Sequence, residues 1–527
     1  MSQDDIFTAE NGPLGPIAVR DTYAIAQLAR LYDESVRAHT ESLARPPSFI
    51  VGRRGSGKTA LLLSKEFDPQ NLSIRLSTSE ALNEVHQTIQ VLKSRMLVPV
   101  ETAAKLWSML LWGPIAVRIA MLPEDRRDPR GHSRRLWQAT RELREASCDS
   151  ETPDDLVLQA LTTRFLEQFN QSGRIVSLDQ LATELVIGET PWSTTQTLAR
   201  EIAKARRLPI FVLVDSLENL GELVDEIQAT LQGLFHLVGR HDHRPGQFQI
   251  QCCFPSEMWS KVSKISSNPN KDFDARLVLQ WSSRDLIHLC STRLARFLRE
   301  DYEGRFAEGF LTDPKMLVSF LPPTIINSAG VKELTTLYIF RHTQLLPRQV
   351  LHILNRVLQL AINASEPGEP PKVESAHIVD AVMDTEGLLC GEVFSAHRYR
   401  HPLAEDVATA LLPALPFRFS EDHGHRAWNQ CAMRHEAQLN WVQVRGMLTD
   451  LGIMGRYVRE TEQYVEAEFV YTAPGRMTLS PNEEYCLHPL FVREFRSSSL
   501  PSPRRDLKGT PQKSVHPIKV QAPRQDL

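Results

Sequence analysis

Residues 48–63 read SFIVGRRGSGKTALLL, and the order of residue types in this stretch decides the fold. Residues 48–51 are a short β-favouring run behind Pro46 and Pro47, and residues 60–63 are good helix formers. Between them Gly52, Arg53, Arg54, Gly55, Ser56, Gly57, Lys58 and Thr59 form one uninterrupted GxxxxGK[ST] pattern. Strand, glycine loop and helix in that order make a phosphate-binding loop. Gly55 and Gly57 let the backbone wrap closely and turn N–H groups inward. A helix beginning near Lys58 adds its positive dipole end, Lys58 reaches the β- and γ-phosphates, and the Thr59 hydroxyl completes a Mg²⁺ shell. Arg53 and Arg54 hold variable positions of the pattern and read as an outward, solvated pair.

Hydrolysis of a bound triphosphate needs a carboxylate as well. Residues 209–219, PIFVLVDSLEN, supply an apolar run suited to a buried parallel strand that ends in Asp215, with Glu218 three residues on. Asp215 at the strand's carboxyl end is expected beside the loop, holding Mg²⁺ through water, while Glu218 orients or deprotonates the attacking water. The competing reading makes Asp215 a helix cap and Glu218 an exposed side chain. A third strand, FQIQCCF at 248–254, runs into PSEMW at 255–259; its end also faces the nucleotide, with Cys252, Cys253 and Ser256 as weak candidates for a phosphate sensor.

The chain has 527 residues, enough for two to four domains, and a net charge of −4, which argues against a surface built throughout for nucleic acid. Its seven cysteines are scattered without metal-ligand spacing and read as reduced and mostly buried. The acidic amino terminus carries no basic or apolar signal region, so a cytoplasmic protein is expected. The most apolar stretch, residues 106–122, is short for a membrane span and is interrupted by Gly113-Pro114 and Arg118, so it reads as a core or interface helix and no membrane partner is expected.

The expected fold class is an α/β P-loop NTPase core, a parallel sheet flanked by helices, followed by an all-α lid and a C-terminal winged-helix domain. Residues 1–46 read as a helical lead-in and 47–283 as the core, with a helical insertion over about 100–205. The arginine-rich stretch 126–135 within that insertion reads as a solvated loop. Residues 284–390 form the lid. A lid helix beginning at Pro347 and Arg348 makes Arg348 the candidate for reaching the γ-phosphate, with Arg293 and Arg296 behind it; the alternative is a surface arginine in a first helical turn. In 391–496, helices precede two β runs, 465–471 and 485–488, the layout of a winged helix. The Pro/Ser/Lys/Arg-rich tail 497–527 is expected to be disordered.

In this order of parts the chain resembles P-loop ATPases of the AAA+/STAND group. The likeness lies in GRRGSGKT at 52–59, FVLVDSLE at 211–218, PSEMW at 255–259 and LLPRQVLHILN at 345–355. STAND ATPases are similar in placing the second acidic residue three after the strand-end aspartate; Ser216 departs from the adjacent Asp-Glu usual in AAA+ enzymes. Origin-recognition initiators resemble it in domain order too. The resemblance implies an ATP-dependent conformational switch, with bacterial members of the group often tied to signalling or anti-phage defence. There is no NKxD guanine motif, which favours ATP over GTP, and no LSGGQ stretch.

Three functions follow. The first is a regulatory ATPase that takes ATP and Mg²⁺ and exposes a surface for self-association or a separate effector protein. The second is a DNA-binding initiator or loader using the winged helix; it is less favoured, because acidic residues outnumber basic ones in 402–495 and the recognition segment offers only Arg445. The third is a scaffold that holds ATP without hydrolysing it.

Overall fold

The computed structural model describes residues 12–17, 29, 47–94, 97–148, 153–171, 177–215, 227–240, 246–266, 268–327, 330, 332–435, 439–460, 464–472, 477–495 and 514–516. The chain divides into two compact units, Asp21–Leu279 and Met1–Arg20 with Gln280–Leu527, each with a hydrophobic core of its own. Among the described residues no helix is long and apolar enough to cross a membrane.

The Asp21–Leu279 unit is built on five parallel strands: β1 (Phe49–Gly52), β2 (Leu72–Ser77), β3 (Ile210–Asp215), β4 (Phe248–Pro255) and β5 (Arg276–Leu279). Their order across the sheet is β2-β3-β4-β1-β5. The inner strands β1 and β3 are near-continuous apolar runs, as a parallel sheet covered on its faces requires, whereas the edge strands β2, LSIRLS, and β5, RLVL, alternate apolar and polar residues. Beneath the carboxyl ends of β1 and β4 lies an aromatic cluster. Phe49 packs edge-on against Phe273 at 4.8 Å and Phe235 at 6.0 Å, while Trp259 meets Phe273 at 4.8 Å and Phe254 at 6.4 Å. It ties β1, the end of β4 and the turn that follows into one rigid block.

Helices α1 (Lys58–Leu63), α2 (Thr78–Lys93), α3 (Val100–Met121), α4 (Pro153–Gln171) and α5 (Gln228–Arg240) belong to this unit. The apolar stretch expected to be a core or interface helix is one, α3, unbroken through Gly113-Pro114 and buried along most of its length. Gly113 is tolerated mid-helix because α4 comes too close for a side chain: a Cβ there would stand 2.9 Å from Leu161 Cδ2. On another face, a Cβ at Gly233 of α5 would stand 2.6 Å from Ala103 Cβ, so small residues set how closely α3 and α5 approach. Thus α3 is a core element and not part of a separable insertion. The arginine-rich stretch is also more ordered than a solvated loop: residues 132–139 are helical, Arg127 pairs with Asp125, and Asp128 pairs with Arg206 in a largely buried bridge.

The other unit begins with helices α6 (Ser283–Asp301), α7 (Thr335–Arg341), α8 (Pro347–Ala364) and α9 (Ser375–His397). Residues 12–17 pack on this bundle: Leu14 N–H donates to Asn355 Oδ1 at 2.7 Å, and Arg293 donates to the Leu14 and Pro16 carbonyls. The remainder of the expected lead-in helix lies outside the described residues apart from Ala29. Next come α10 (Ala404–Leu411), β6 (Arg418–Ser420), α11 (Glu421–His435), α12 (Trp441–Asp450), β7 (Met454–Glu460), β8 (Tyr464–Glu468), β9 (Glu484–Leu487), α13 (Pro489–Glu494) and β10 (Ser514–His516), with strand order β6-β9-β7-β8-β10.

Two expectations change here. The β runs near 465–471 and 485–488 are not neighbours, because β7 lies between them. Its charged sequence MGRYVRE hides a strand whose charges are met across the sheet, Arg459 by Glu466 at 2.5 Å and Arg456 by Glu468 at 3.5 Å. Within the tail expected to be disordered, residues 514–516 pair in parallel with β8.

A buried charge network crosses the bundle of this unit. Arg341 pairs with Glu333 at 2.9 Å, and Arg493 of α13 donates to Glu386 of α9 at 2.5 Å, with His342 3.6 Å from the same carboxylate. Burial outweighs the Arg493 guanidinium and holds Glu386 up at about 7, above the ordinary 4.5. Burial first, and then the charge of Arg341, hold His342 well below its usual range.

The signs follow from linkage. Because folded Glu386 keeps its proton to higher pH than the unfolded chain does, its contribution to stability falls as pH rises from 4.5 to about 7. The shift corresponds to a change on the order of 3 kcal/mol. His342 acts in the opposite sense, costing stability as pH falls below 6.5, where the unfolded imidazole takes a proton. Comparing wild type with Glu386→Gln isolates the carboxylate: the melting temperature of the variant relative to wild type should be higher at pH 8 than at pH 5. A difference that stays flat between those pH values would show that Glu386 is ionised throughout.

Candidate phosphate-binding site

A parallel sheet offers a ligand site outside its carboxyl edge, where the connections leaving neighbouring strands run to opposite faces. In the order β2-β3-β4-β1-β5, the chain leaves β1 toward β2 at one edge and leaves β4 across β1 toward β5 at the other. Right-handed crossovers in opposite directions lie on opposite faces, so the divergence falls at β1 and β4. The glycine loop begins there.

Each glycine has a distinct reason. Gly52 ends β1 where a Cβ would stand 2.5 Å from Ser56 Oγ and 3.1 Å from Leu279 Cβ, because the loop folds its buried Ser56 back over the strand. Gly55 and Gly57 have φ of 82° and 89°, the left-handed region closed to most side chains. Gly57 is the N-cap of α1, and its carbonyl takes the first helical bond, from Leu61 N–H at 3.1 Å.

Lys58 is 5% exposed, and its ammonium donates to the Arg53 carbonyl at 3.2 Å. Thr59 follows, half-buried. Arg53 and Arg54 are half-buried too, and so are not the outward, solvated pair that the pattern alone suggested.

Asp215 is the last residue of β3 and half-buried, level with Ser77 of β2. It was expected beside the loop, but β4 lies between β3 and β1. Two strand spacings separate the Asp215 strand from the loop strand by roughly 10 Å, enough for a hydrated cation. Glu218 lies outside the described residues.

The intervening β4 therefore brings its own end nearest the loop. Cys253 is buried with Sγ 3.6 Å from the Lys58 carbonyl, and burial pushes the Cys252 thiol up, away from a reactive thiolate. Just past β4, in the turn Ser256–Met258, Glu257 Oε1 accepts from the Arg54 N–H at 3.2 Å and Oε2 accepts from Ser256 Oγ at 3.2 Å. Sequence reading passed over Glu257. The signal that would have found it is a carboxylate in the first turn after the strand adjoining β1, which needs the strand order.

The arginine candidates lie in the other unit. Arg348 is the second residue of α8, half-buried, and its Nε has no hydrogen-bond partner among the described residues. Arg293 is engaged with the Leu14 and Pro16 carbonyls, and Arg296 pairs with Glu300 at 2.9 Å. Both are committed to structural contacts. No protein-family model matches the chain, and no curated protein matches it.

The tight approach at Gly52 yields a test. Gly52→Ala should drive Ser56 from its place and weaken binding of ATP, the ligand implied by the loop, by roughly tenfold or more, about 1.4 kcal/mol, in isothermal titration. Gly391→Ala, at a helical site with nothing near the new Cβ, serves as the control and should leave binding unchanged.

Proposed function

We propose that this protein is a Mg²⁺-dependent, ATP-binding switch ATPase of the AAA+/STAND kind, in which Asp21–Leu279 is the P-loop NTPase core. The observation that carries this reading is the conformation of residues 52–59. A GxxxxGKT loop leaves an inner strand of a parallel sheet with both inner glycines left-handed and its lysine folded back over the loop. Such a loop turns successive backbone N–H groups toward one anion, and Lys58 is the residue of the pattern that meets the β- and γ-phosphates.

The donor set fits a magnesium nucleotide. The Thr59 hydroxyl and the Asp215 carboxylate are hard oxygen ligands, and the roughly two-strand gap between their elements suits a cation that keeps several waters. Bound Mg²⁺ would neutralise charge on the phosphate oxygens. Lys58 then holds the terminal phosphates, Asp215 fixes the cation through water, and Glu218 is assigned to orient the attacking water. Arg348 is assigned to the γ-phosphate as the arginine of the helical lid.

In the same reading, the bundle of α6–α9 is the lid, and α10–α12 with the sheet β6–β9 is a winged-helix domain. A protein partner is favoured over DNA for that domain. Arg445, the one cation of α12, is committed to Glu421 at 2.7 Å and to the Tyr485 hydroxyl at 3.3 Å, while the exposed positions of α12 include uncharged Val442, Gln443 and Gly446. Phosphate backbones are held by unpaired cations, which this face does not offer. A switch that exposes a surface for self-association or a cytoplasmic effector protein, in signalling or defence, fits this charge distribution.

Two variants test the reading. Lys58→Ala should abolish ATP binding in isothermal titration. Asp215→Asn should retain binding but lower Mg²⁺-dependent phosphate release by a factor on the order of 100 or more. Unaltered ATP binding by Lys58→Ala would overturn the assignment. Equal, persistent absence of phosphate release from wild type and Glu218→Gln would favour a non-hydrolysing scaffold.

A further inference from the structure

The peptide unit joining Arg53 to Arg54 is held at both ends. Its carbonyl accepts from Lys58 Nζ at 3.2 Å, and its N–H donates to Glu257 Oε1 at 3.2 Å. The ammonium and the carboxylate therefore flank one peptide group, at most roughly 9 Å apart given the dimensions of that group. Lys58 is the residue that meets the β- and γ-phosphates in a loop of this pattern. Glu257 thus stands at the terminal-phosphate end of the loop, with its negative charge on an amide that belongs to the loop itself.

Glu257 is firmly placed. It sits in the turn directly after β4, the strand paired with β1 through Gly52↔Pro255, and Ser256 Oγ donates to its second oxygen. Two residues on, Trp259 packs on Phe254 and Phe273 with the Arg276 guanidinium 4.8 Å over its ring. Among the described residues no lysine or arginine forms an ion pair with Glu257. A carboxylate so placed turns its oxygens toward the loop, where a neutral hydrogen-bonding residue would have satisfied the same N–H.

We propose that Glu257 is an internal anionic placeholder: its carboxylate occupies the Arg54 amide and selectively weakens the binding of triphosphate over diphosphate. The inference rests on the ATP reading of the loop and adds a regulatory and specificity-setting residue to it. Entry of a γ-phosphate brings like charge against the carboxylate, whereas a diphosphate ends short of it. Binding of ATP must therefore draw Glu257 off the Arg54 N–H at the same time as it draws Lys58 off the Arg53 carbonyl. The first of these displacements takes place two residues from Trp259, whose indole reports it.

The experiment uses the full chain and measures Mg-ATP and Mg-ADP affinity by isothermal titration, with tryptophan fluorescence as a second readout, in wild type, Lys58→Ala and Glu257→Gln. Glutamine retains an oxygen that can accept from the Arg54 N–H and removes only the charge. Glu257→Gln should bind ATP on the order of tenfold tighter than wild type and ADP within about threefold of it, a like-charge effect at short range. The gain should shrink as salt is raised, because added ions screen the repulsion. A misfolded variant cannot mimic a gain in affinity. If wild type binds ATP and Lys58→Ala does not, but Glu257→Gln binds ATP no tighter than wild type, the placeholder is overturned and the ATP reading stands. Weaker ATP binding by Glu257→Gln would instead make the residue a ligand of the bound cation or nucleotide. If neither wild type nor Glu257→Gln binds ATP at millimolar concentration, both proposals fall.

Discussion

A loop that folds back closely on its own strand cannot carry side chains where it turns, and that constraint governs the Asp21–Leu279 unit. Gly55 and Gly57 meet it with left-handed φ, and Gly52 meets it by leaving room for Ser56 against the strand. Such a loop is strained in isolation and holds its shape only on a stiff base. The base is the aromatic block of Phe49, Phe235, Phe254, Trp259 and Phe273, which fixes β1 and the end of β4 together. The close approach of α3 and α5 at Ala103 and Gly233 serves the same end, since α5 supplies Phe235 to that block. Core packing and site geometry are here one requirement.

Much of this unit was legible because its information is local. The strand–loop–helix order, the apolar run ending in Asp215 and the strand at 248–254 depend on residue type and short-range periodicity, and all three elements stand where the pattern put them. What is nonlocal was not legible. The insertion of β4 between β1 and β3 depends on which strands pair, and no residue in β4 announces its neighbours. That one topological fact both separates Asp215 from the loop and brings Glu257 to it. The helix at 106–122 was legible from its apolar run, and it continues through Gly113-Pro114 because tertiary burial against α4 and α5 overrides the propensity cost of both residues.

Arginines show the limit most plainly, because their roles depend on partners far along the chain. Arg293, Arg296 and Arg348 all sit in helical periodicity and look equivalent as letters. Only contacts separate them: residues 12–17 take Arg293, Glu300 takes Arg296, and Arg348 retains a buried Nε without a hydrogen-bond partner among the described residues. The β7 strand was missed on the same grounds. Arg456 and Arg459 read as loop residues until their cross-strand carboxylates are seen.

The Arg445 contacts bear on what kind of partner this protein meets. Glu421 accepts from Arg445 and also from the Tyr485 hydroxyl, so one carboxylate joins α11, α12 and β9. Burial, with the hydrogen bond to Glu421 behind it, pushes the Tyr485 phenol up, in keeping with its role as donor to that carboxylate. Freeing Arg445 for a nucleic-acid phosphate would strand the Glu421 carboxylate, a cost that a surface cation never carries. The positive charge of α12 is therefore structural. What α12 presents outward is Val442, 62% exposed, beside Gln443 and Gly446. A face of that kind offers a phosphate backbone no cation, since the charge that α12 carries is already bound within the fold.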